Sequence, residues 1–146
     1  MLGVDGVSLF FILLTTLLIP LCLLASWSSI YVNLKEFLIF FLFLNFCLIG
    51  TFCVLDLLFF YIFFESVLVP MFLIVGVWGS RQRKMLAAYY FFIYTLLGSV
   101  LMLLAILYVY YQTGSTSYDI LLTFNFSCLE QKFIWFCFFV AFTSKI

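Results

Sequence analysis

The sequence predicts an all-α integral membrane protein, organised as a single membrane domain over residues 1–146. Of its 146 residues, 68% are hydrophobic and only 8% are charged, and the mean hydropathy is +1.37. A soluble domain cannot be built from this balance, because too little polar surface remains to face water. Its long runs are apolar on every face, which is typical of helices that span a bilayer.

Several classes of function are excluded by what the chain lacks. There is no histidine, which excludes His-ligated haem and His-based metal sites. None of the five cysteines forms a CxxC pair, and most lie in apolar runs where they act as small hydrophobes. We therefore expect neither a metal nor a disulfide. The net charge is zero, so no nucleic acid is expected as a partner, whereas lipids are.

The apolar runs predict four full transmembrane helices and a partial fifth. The four full helices are expected at about Val7–Trp27, Phe37–Val54, Leu57–Val77 and Met85–Tyr111. A polar loop, Gln112–Lys132, follows them, and its apolar patch at Ile120–Phe126 is too short to span. The last helix is expected from near Lys132 to the end, which is about fourteen residues against the roughly twenty that a span needs.

Glu65 is the only charged residue in the third helix. Asp56 precedes that helix as a natural N-cap, and nine residues of helical rise place Glu65 about 13 Å deeper. Because the hydrocarbon core is about 30 Å thick, Glu65 is expected near its middle, where an ionisable group costs about 2.5–3.5 kcal/mol. Glu65 is therefore a candidate functional residue. The alternative is a protonated carboxyl that only hydrogen-bonds a neighbouring helix.

Two further polar residues lie in apolar surroundings. Lys145 follows Lys132 by thirteen residues, so its ammonium is expected about 20 Å along the last helix, again in the middle third of the bilayer. The alternative is that Lys145 extends to the opposite interface. Asn45 is the only strongly polar residue of the second helix, and we expect it to serve as an interhelical packing contact.

The loop charges predict an orientation. The loops after the first and third helices lie on one side of the membrane and carry four of the six basic residues: Lys35, Arg81, Arg83 and Lys84. Most of the acidic residues fall on the other side. By the positive-inside rule, the basic side faces the cytoplasm, or the matrix in a mitochondrion.

Three blocks of sequence resemble a known family. They are GVDGVSLFF at Gly3–Phe11, FFESVLVPMF at Phe63–Phe72, and the long block from Gly76 to Leu107 that begins GVWGSRQRK. Together they closely resemble the chain-4 subunits of respiratory NADH-ubiquinone oxidoreductase, which are antiporter-like subunits of complex I. The resemblance covers essentially the whole chain and looks nearest to mitochondrial members.

The resemblance implies a place in the fold and a pair of site residues. The helices would match helices three to seven of the antiporter-like fold. Glu65 matches a midmembrane glutamate on the fifth helix, and Lys145 matches its lysine partner on the seventh. Asn45 stands where the family often has glutamate, which puts a second acidic relay site on that helix in doubt.

The function implied is that of a proton-translocating membrane-arm subunit, which couples quinone reduction to proton pumping in the mitochondrial inner membrane. No redox chemistry and no cofactor are expected in this chain, because NAD, FMN, iron–sulfur clusters and ubiquinone are used by other subunits. The alternatives are a subunit of a multisubunit cation/proton antiporter and a purely structural scaffold of the membrane arm. The expected partners are other membrane-arm subunits and a second polypeptide that carries the rest of the antiporter-like unit beside Lys145.

Overall fold

A computed structural model describes all residues from 1 to 146, and its regular structure is entirely helical. The helices are α1 Gly6–Ala25, α2 Leu34–Cys53, α3 Leu57–Ser66, α4 Leu68–Trp78, α5 Lys84–Thr113, α6 Tyr118–Thr123 and α7 Cys128–Thr143. Four stretches are long and apolar enough to cross a membrane: α1, α2, α3 together with α4, and α5. The predicted all-α membrane fold with four full spans is confirmed.

The third span is broken, although the sequence predicted one continuous helix over Leu57–Val77. α3 ends at Ser66 and α4 begins at Leu68, with Val67 between them. Pro70 explains the break, because proline has no N–H to donate and its ring crowds the carbonyl four residues earlier, that of Ser66. Glu65 consequently lies in the last turn of a short helix, next to a discontinuity in the backbone.

The last helix begins earlier than its predicted start near Lys132. α7 starts at Cys128 because Ser127 and Glu130 form a capping box, in which each side chain binds the other residue's backbone N–H. The Ser-x-x-Glu spacing of Ser127 and Glu130 is the sequence signal for this start. The prediction that Lys145 lies inside this helix is wrong, because α7 ends at Thr143 and Lys145 follows the C-cap residue Ser144. The polar loop before α7 also contains α6, a helix of six residues.

Hydrogen bonds between loops show which of them share a side of the membrane. At one end of the bundle, the N–H of Leu57 donates to the carbonyl of Thr116 at 3.0 Å, which joins the start of the third span to the loop after α5. At the other end, the indole Nε1 of Trp78 donates to the carbonyl of Val32 at 2.8 Å. The predicted grouping of loops is therefore confirmed, and the direction in which the bundle faces stays a prediction.

A buried core lies where α5 meets α7 and α3. Met102 and Ile106 of α5 and Ala141 of α7 form a fully buried cluster, against which Phe60 and Phe64 of α3 pack. Gly98, Ser99 and Ala105 of α5 are also buried, and small side chains of this kind allow helices to pack closely. In contrast, most large side chains of α1 are exposed, as suits a helix whose surroundings are lipid.

Candidate functional site

Glu65 lies at the centre of the site. Its Oε1 atom is buried and has no hydrogen-bond partner in the chain. A buried acceptor left without a partner costs about 1–3 kcal/mol, so such an atom is uncommon unless it serves a purpose. The structure shows no contact that would make this oxygen a simple hydrogen-bonding link to a neighbouring helix.

Lys145 reaches the same place from the end of α7. Its Nζ donates a hydrogen bond to the carbonyl of Phe64 at 3.0 Å and lies 4.0 Å from the centroid of the Phe64 ring. A cation over an aromatic ring gains about 0.5–2 kcal/mol, depending on how far it is desolvated. The ammonium is therefore held at the end of α3, next to the residue that carries the carboxyl, and does not extend towards an interface.

The ammonium and the carboxyl do not form a direct ion pair. Nζ of Lys145 is hydrogen-bonded to a backbone carbonyl, and Oε1 of Glu65 is unpartnered. The two groups are nevertheless close enough to interact electrostatically. Phe64 is among the last four residues of α3, whose carbonyls have no N–H partner inside that helix. The helix break thus supplies an acceptor that can hold the cation next to Glu65 without neutralising it.

Tyr61, near Glu65, was missed by the sequence analysis. It lies one turn before Glu65 and packs against the buried cluster of Met102, Ile106 and Ala141. The i, i+4 spacing of Tyr61 and Glu65 was the available signal, since it puts both side chains on one helix face. Nothing in the sequence showed that Met102 and Ile106 of α5 would meet Tyr61.

Asn45 also has a buried oxygen without a partner, its Oδ1 atom. No hydrogen bond at this oxygen supports the predicted role of Asn45 as an interhelical packing contact. That role stays a prediction. A buried amide oxygen that accepts nothing carries the same kind of cost as the orphan oxygen of Glu65.

A second polar cluster lies at the membrane-surface end of α5, away from Glu65. The hydroxyl of Tyr108 donates to Oε1 of Glu130 at 2.9 Å, and Nε2 of Gln112 donates to the same atom at 3.3 Å. Hydrogen bonds donated to the Glu130 carboxylate by the backbone N–H of Ser127 and, to a smaller extent, by the Tyr108 hydroxyl hold the pKa of Glu130 below its usual value. This cluster fastens the start of α7 to the end of α5, so it fixes the helix that Lys145 follows.

Comparisons with known proteins cover the whole chain. Residues 54–146 match the family model described as NADH:quinone oxidoreductase/Mrp antiporter, TM, and residues 1–55 match that of NADH-ubiquinone oxidoreductase chain 4, amino terminus. The chain is 66% identical over 144 residues to NADH-ubiquinone oxidoreductase chain 4 of Chondrus crispus, and 59% identical over 145 residues to that of Arabidopsis thaliana. Each alignment covers 99% of this chain and 29% of the relative.

These matches confirm the resemblance inferred from the sequence. They also set its extent, because the chain spans about three tenths of the length of the curated relatives it matches. A similar share, 29%, applies to the 53% identical relative of Acanthamoeba castellanii.

Proposed function

Because the chain belongs to the NADH:quinone oxidoreductase/Mrp antiporter transmembrane family, we propose that it provides the Glu65–Lys145 part of a proton-translocating membrane-arm subunit of respiratory NADH:ubiquinone oxidoreductase. The observation that carries the proposal is the hydrogen bond of Lys145 to Phe64, which holds an ammonium beside an unpartnered buried carboxyl oxygen. Ionisable groups at membrane depth mark ion and proton pathways more often than they serve packing.

The chemistry of such a pair follows from electrostatics. Burial favours the neutral, protonated form of a carboxyl, and a nearby ammonium favours the charged form. If Lys145 moves closer to Glu65, the carboxyl releases its proton; if Lys145 withdraws or takes another partner, the carboxyl takes a proton up. No bond to NADH or quinone is needed at Glu65. NAD, FMN, iron–sulfur clusters and ubiquinone are assigned to other subunits, and no cofactor to this chain.

The chain is a multi-pass membrane protein, and we propose the mitochondrial inner membrane as its location. The support is the printed name of its relatives, NADH-ubiquinone oxidoreductase chain 4, together with the basic side of the bundle, which suits the matrix. Other membrane-arm subunits are the proposed partners, with lipids around the exposed apolar helices. A second polypeptide that supplies the remaining antiporter-like helices stays a prediction.

A subunit of a cation/proton antiporter is the second candidate, because the family matched by residues 54–146 also includes Mrp antiporters. The match of residues 1–55 to the amino terminus of chain 4 favours the respiratory enzyme. Measurements of proton transport distinguish the two candidate functions. Proton movement by the respiratory enzyme stops when quinone reduction is inhibited. Proton movement by an antiporter continues and depends on a cation gradient instead.

Replacing Glu65 by glutamine in the intact complex tests the proposal. Glutamine keeps the shape of the side chain but cannot exchange a proton, so we expect normal assembly with strongly reduced proton pumping in reconstituted vesicles. Glu65→Asp, which keeps the carboxyl, should reduce proton pumping less than Glu65→Gln does. Glu36→Gln is the matched control, because Glu36 is an exposed carboxyl in the first turn of α2.

Three results would count against the proposal. Wild-type pumping in Glu65→Gln vesicles would reduce Glu65 to a packing residue. An equal loss in Glu36→Gln would show that any lost carboxyl on this chain harms the complex. Pumping that persists when quinone reduction is blocked would favour the antiporter.

A further inference from the structure

α5 and the end of α7 approach each other closely at Gly98. A Cβ atom placed on Gly98 would lie 2.5 Å from the Cβ of Ser144 and would also collide with its Oγ. Ordinary van der Waals contact begins at 3.4 Å. Any side chain at this position would therefore push the end of α7 away from α5 by on the order of 1 Å, because packed helices cannot interpenetrate.

Ser144 is the residue immediately before Lys145 and is firmly attached to α7. Its N–H donates to the carbonyl of Val140 at 3.1 Å, and its Oγ donates to the carbonyl of Ala141 at 2.7 Å. Only 9% of Ser144 is exposed. A displacement of Ser144 would consequently carry the backbone of Lys145 with it.

The other side of this contact is anchored on α3. The buried side chains of Met102 and Ile106, one to two turns after Gly98 on α5, belong to a cluster against which Phe64 of α3 packs. α5 thus contacts both segments that carry the candidate pair. Gly98 sets how near the end of α7 comes, and the Met102–Ile106 part of α5 meets α3. The position of Nζ of Lys145, 3.0 Å from the Phe64 carbonyl, depends on both contacts.

We propose that Gly98 is a positioning residue for Lys145: because it lacks a side chain, Ser144 packs closely enough on α5 for Lys145 to reach the Phe64 carbonyl beside Glu65. This inference rests on the proposed function of the pair. Proton transfer requires groups within hydrogen-bonding reach or one water apart, so a shift of about 1 Å matters. Gly98 itself touches no proton and acts through Ser144.

The test adds a side chain at Gly98 and removes the one at Ser144, and both variants are measured in the intact complex. Gly98→Ala should lower the proton-pumping rate by up to about a hundredfold, as expected when reacting groups are misplaced by roughly 1 Å. Adding Ser144→Gly removes the colliding atoms and should restore most of the rate. A purely structural defect of glycine loss on α5 would not be corrected by trimming α7.

Gly76→Ala is the matched control, because Gly76 is also a buried helical glycine. A Cβ there would meet Sδ of Met85 at 3.5 Å and the Cβ of Ala88 at 3.7 Å, which are ordinary contacts. Gly76→Ala should therefore pump like the wild type. Glu65→Gln is measured alongside, so that a failure of the proposed function is distinguished from a failure of the positioning role.

The possible outcomes are distinct. Wild-type pumping in Gly98→Ala, with a strong defect in Glu65→Gln, would overturn the positioning role alone. If Gly98→Ala reduces assembly, the proposal requires Ser144→Gly to restore both assembly and pumping. A double variant that does not assemble, or assembles without pumping, would contradict it, because the collision with Ser144 would then not be the cause.

Discussion

Asp56 joins the start of α3 to the loop after α5, and its removal has a calculable effect. Its Oδ1 accepts the N–H of Leu58 at 3.0 Å and the hydroxyl of Thr116 at 2.6 Å. Loss of an N-cap costs about 1 kcal/mol, and loss of a hydrogen bond to a charged group about 1.5–3 kcal/mol. Because the hydrogen bond from the N–H of Leu58 to Asp56 is exposed to the surroundings, we take the lower part of both energy ranges. Asp56→Ala should lower the free energy of opening the first turn of α3 by about 2 kcal/mol.

Hydrogen exchange in the intact complex measures this opening at the backbone amides of Leu58 and Phe60. A change of 2 kcal/mol corresponds to about thirtyfold faster exchange, because each 1.4 kcal/mol is a factor of ten. Asp5→Ala is the control, since Asp5 precedes α1 but makes no capping hydrogen bond with its side chain. The reasoning would be refuted if Asp56→Ala exchanged no faster than Asp5→Ala. A double variant with Thr116→Val separates the two bonds.

Two further predictions concern the ends of the bundle. Because hydrogen bonds depress the folded-state pKa of Glu130 below its usual 4.5, its contribution to stability is present above that value and falls as the pH drops below it. The protection factors of the amides in the first turn of α7, which are corrected for the intrinsic pH dependence of exchange, should therefore fall in acid. Glu130→Gln should remove this pH dependence, and an unchanged acid response would refute the assignment. For orientation, a cysteine at exposed Gln82 should be labelled only from the matrix side, and one at exposed Asp119 only from the other. Labelling of a cysteine at position 82 from the outside would show that the predicted orientation is wrong.

The sequence was sufficient for the spans but not for their breaks and ends. Long apolar runs determine which segments enter a bilayer, and Asp56 was correctly identified as the N-cap of the third span. The break at Val67 was missed, although Pro70 was visible. Proline in a membrane helix is sometimes tolerated without a break, and sequence alone does not say when. The start of α7 was missed because it depends on the Ser127–Glu130 capping box, which lies in a polar segment that hydropathy does not assign to a helix.

The candidate site was only partly predictable. Glu65 and Lys145 stood out because each is a lone ionisable residue in apolar surroundings, and the structure brings them to the same carbonyl region of α3. The acceptor itself, the backbone carbonyl of Phe64, carries no sequence signature. The contact of Gly98 with Ser144 joins residues far apart in the chain, and it depends on helix packing that no local pattern encodes.

The central claim is that Glu65 and Lys145 act as one unit in proton translocation. The most direct measurement is the proton-pumping rate of intact complex carrying Glu65→Gln, Lys145→Met, or both. Groups that act together are strongly non-additive, so the account predicts that the double variant is no slower than the slower single variant. Losses that multiply in the double variant, or a Lys145→Met variant that pumps at the wild-type rate, would contradict it.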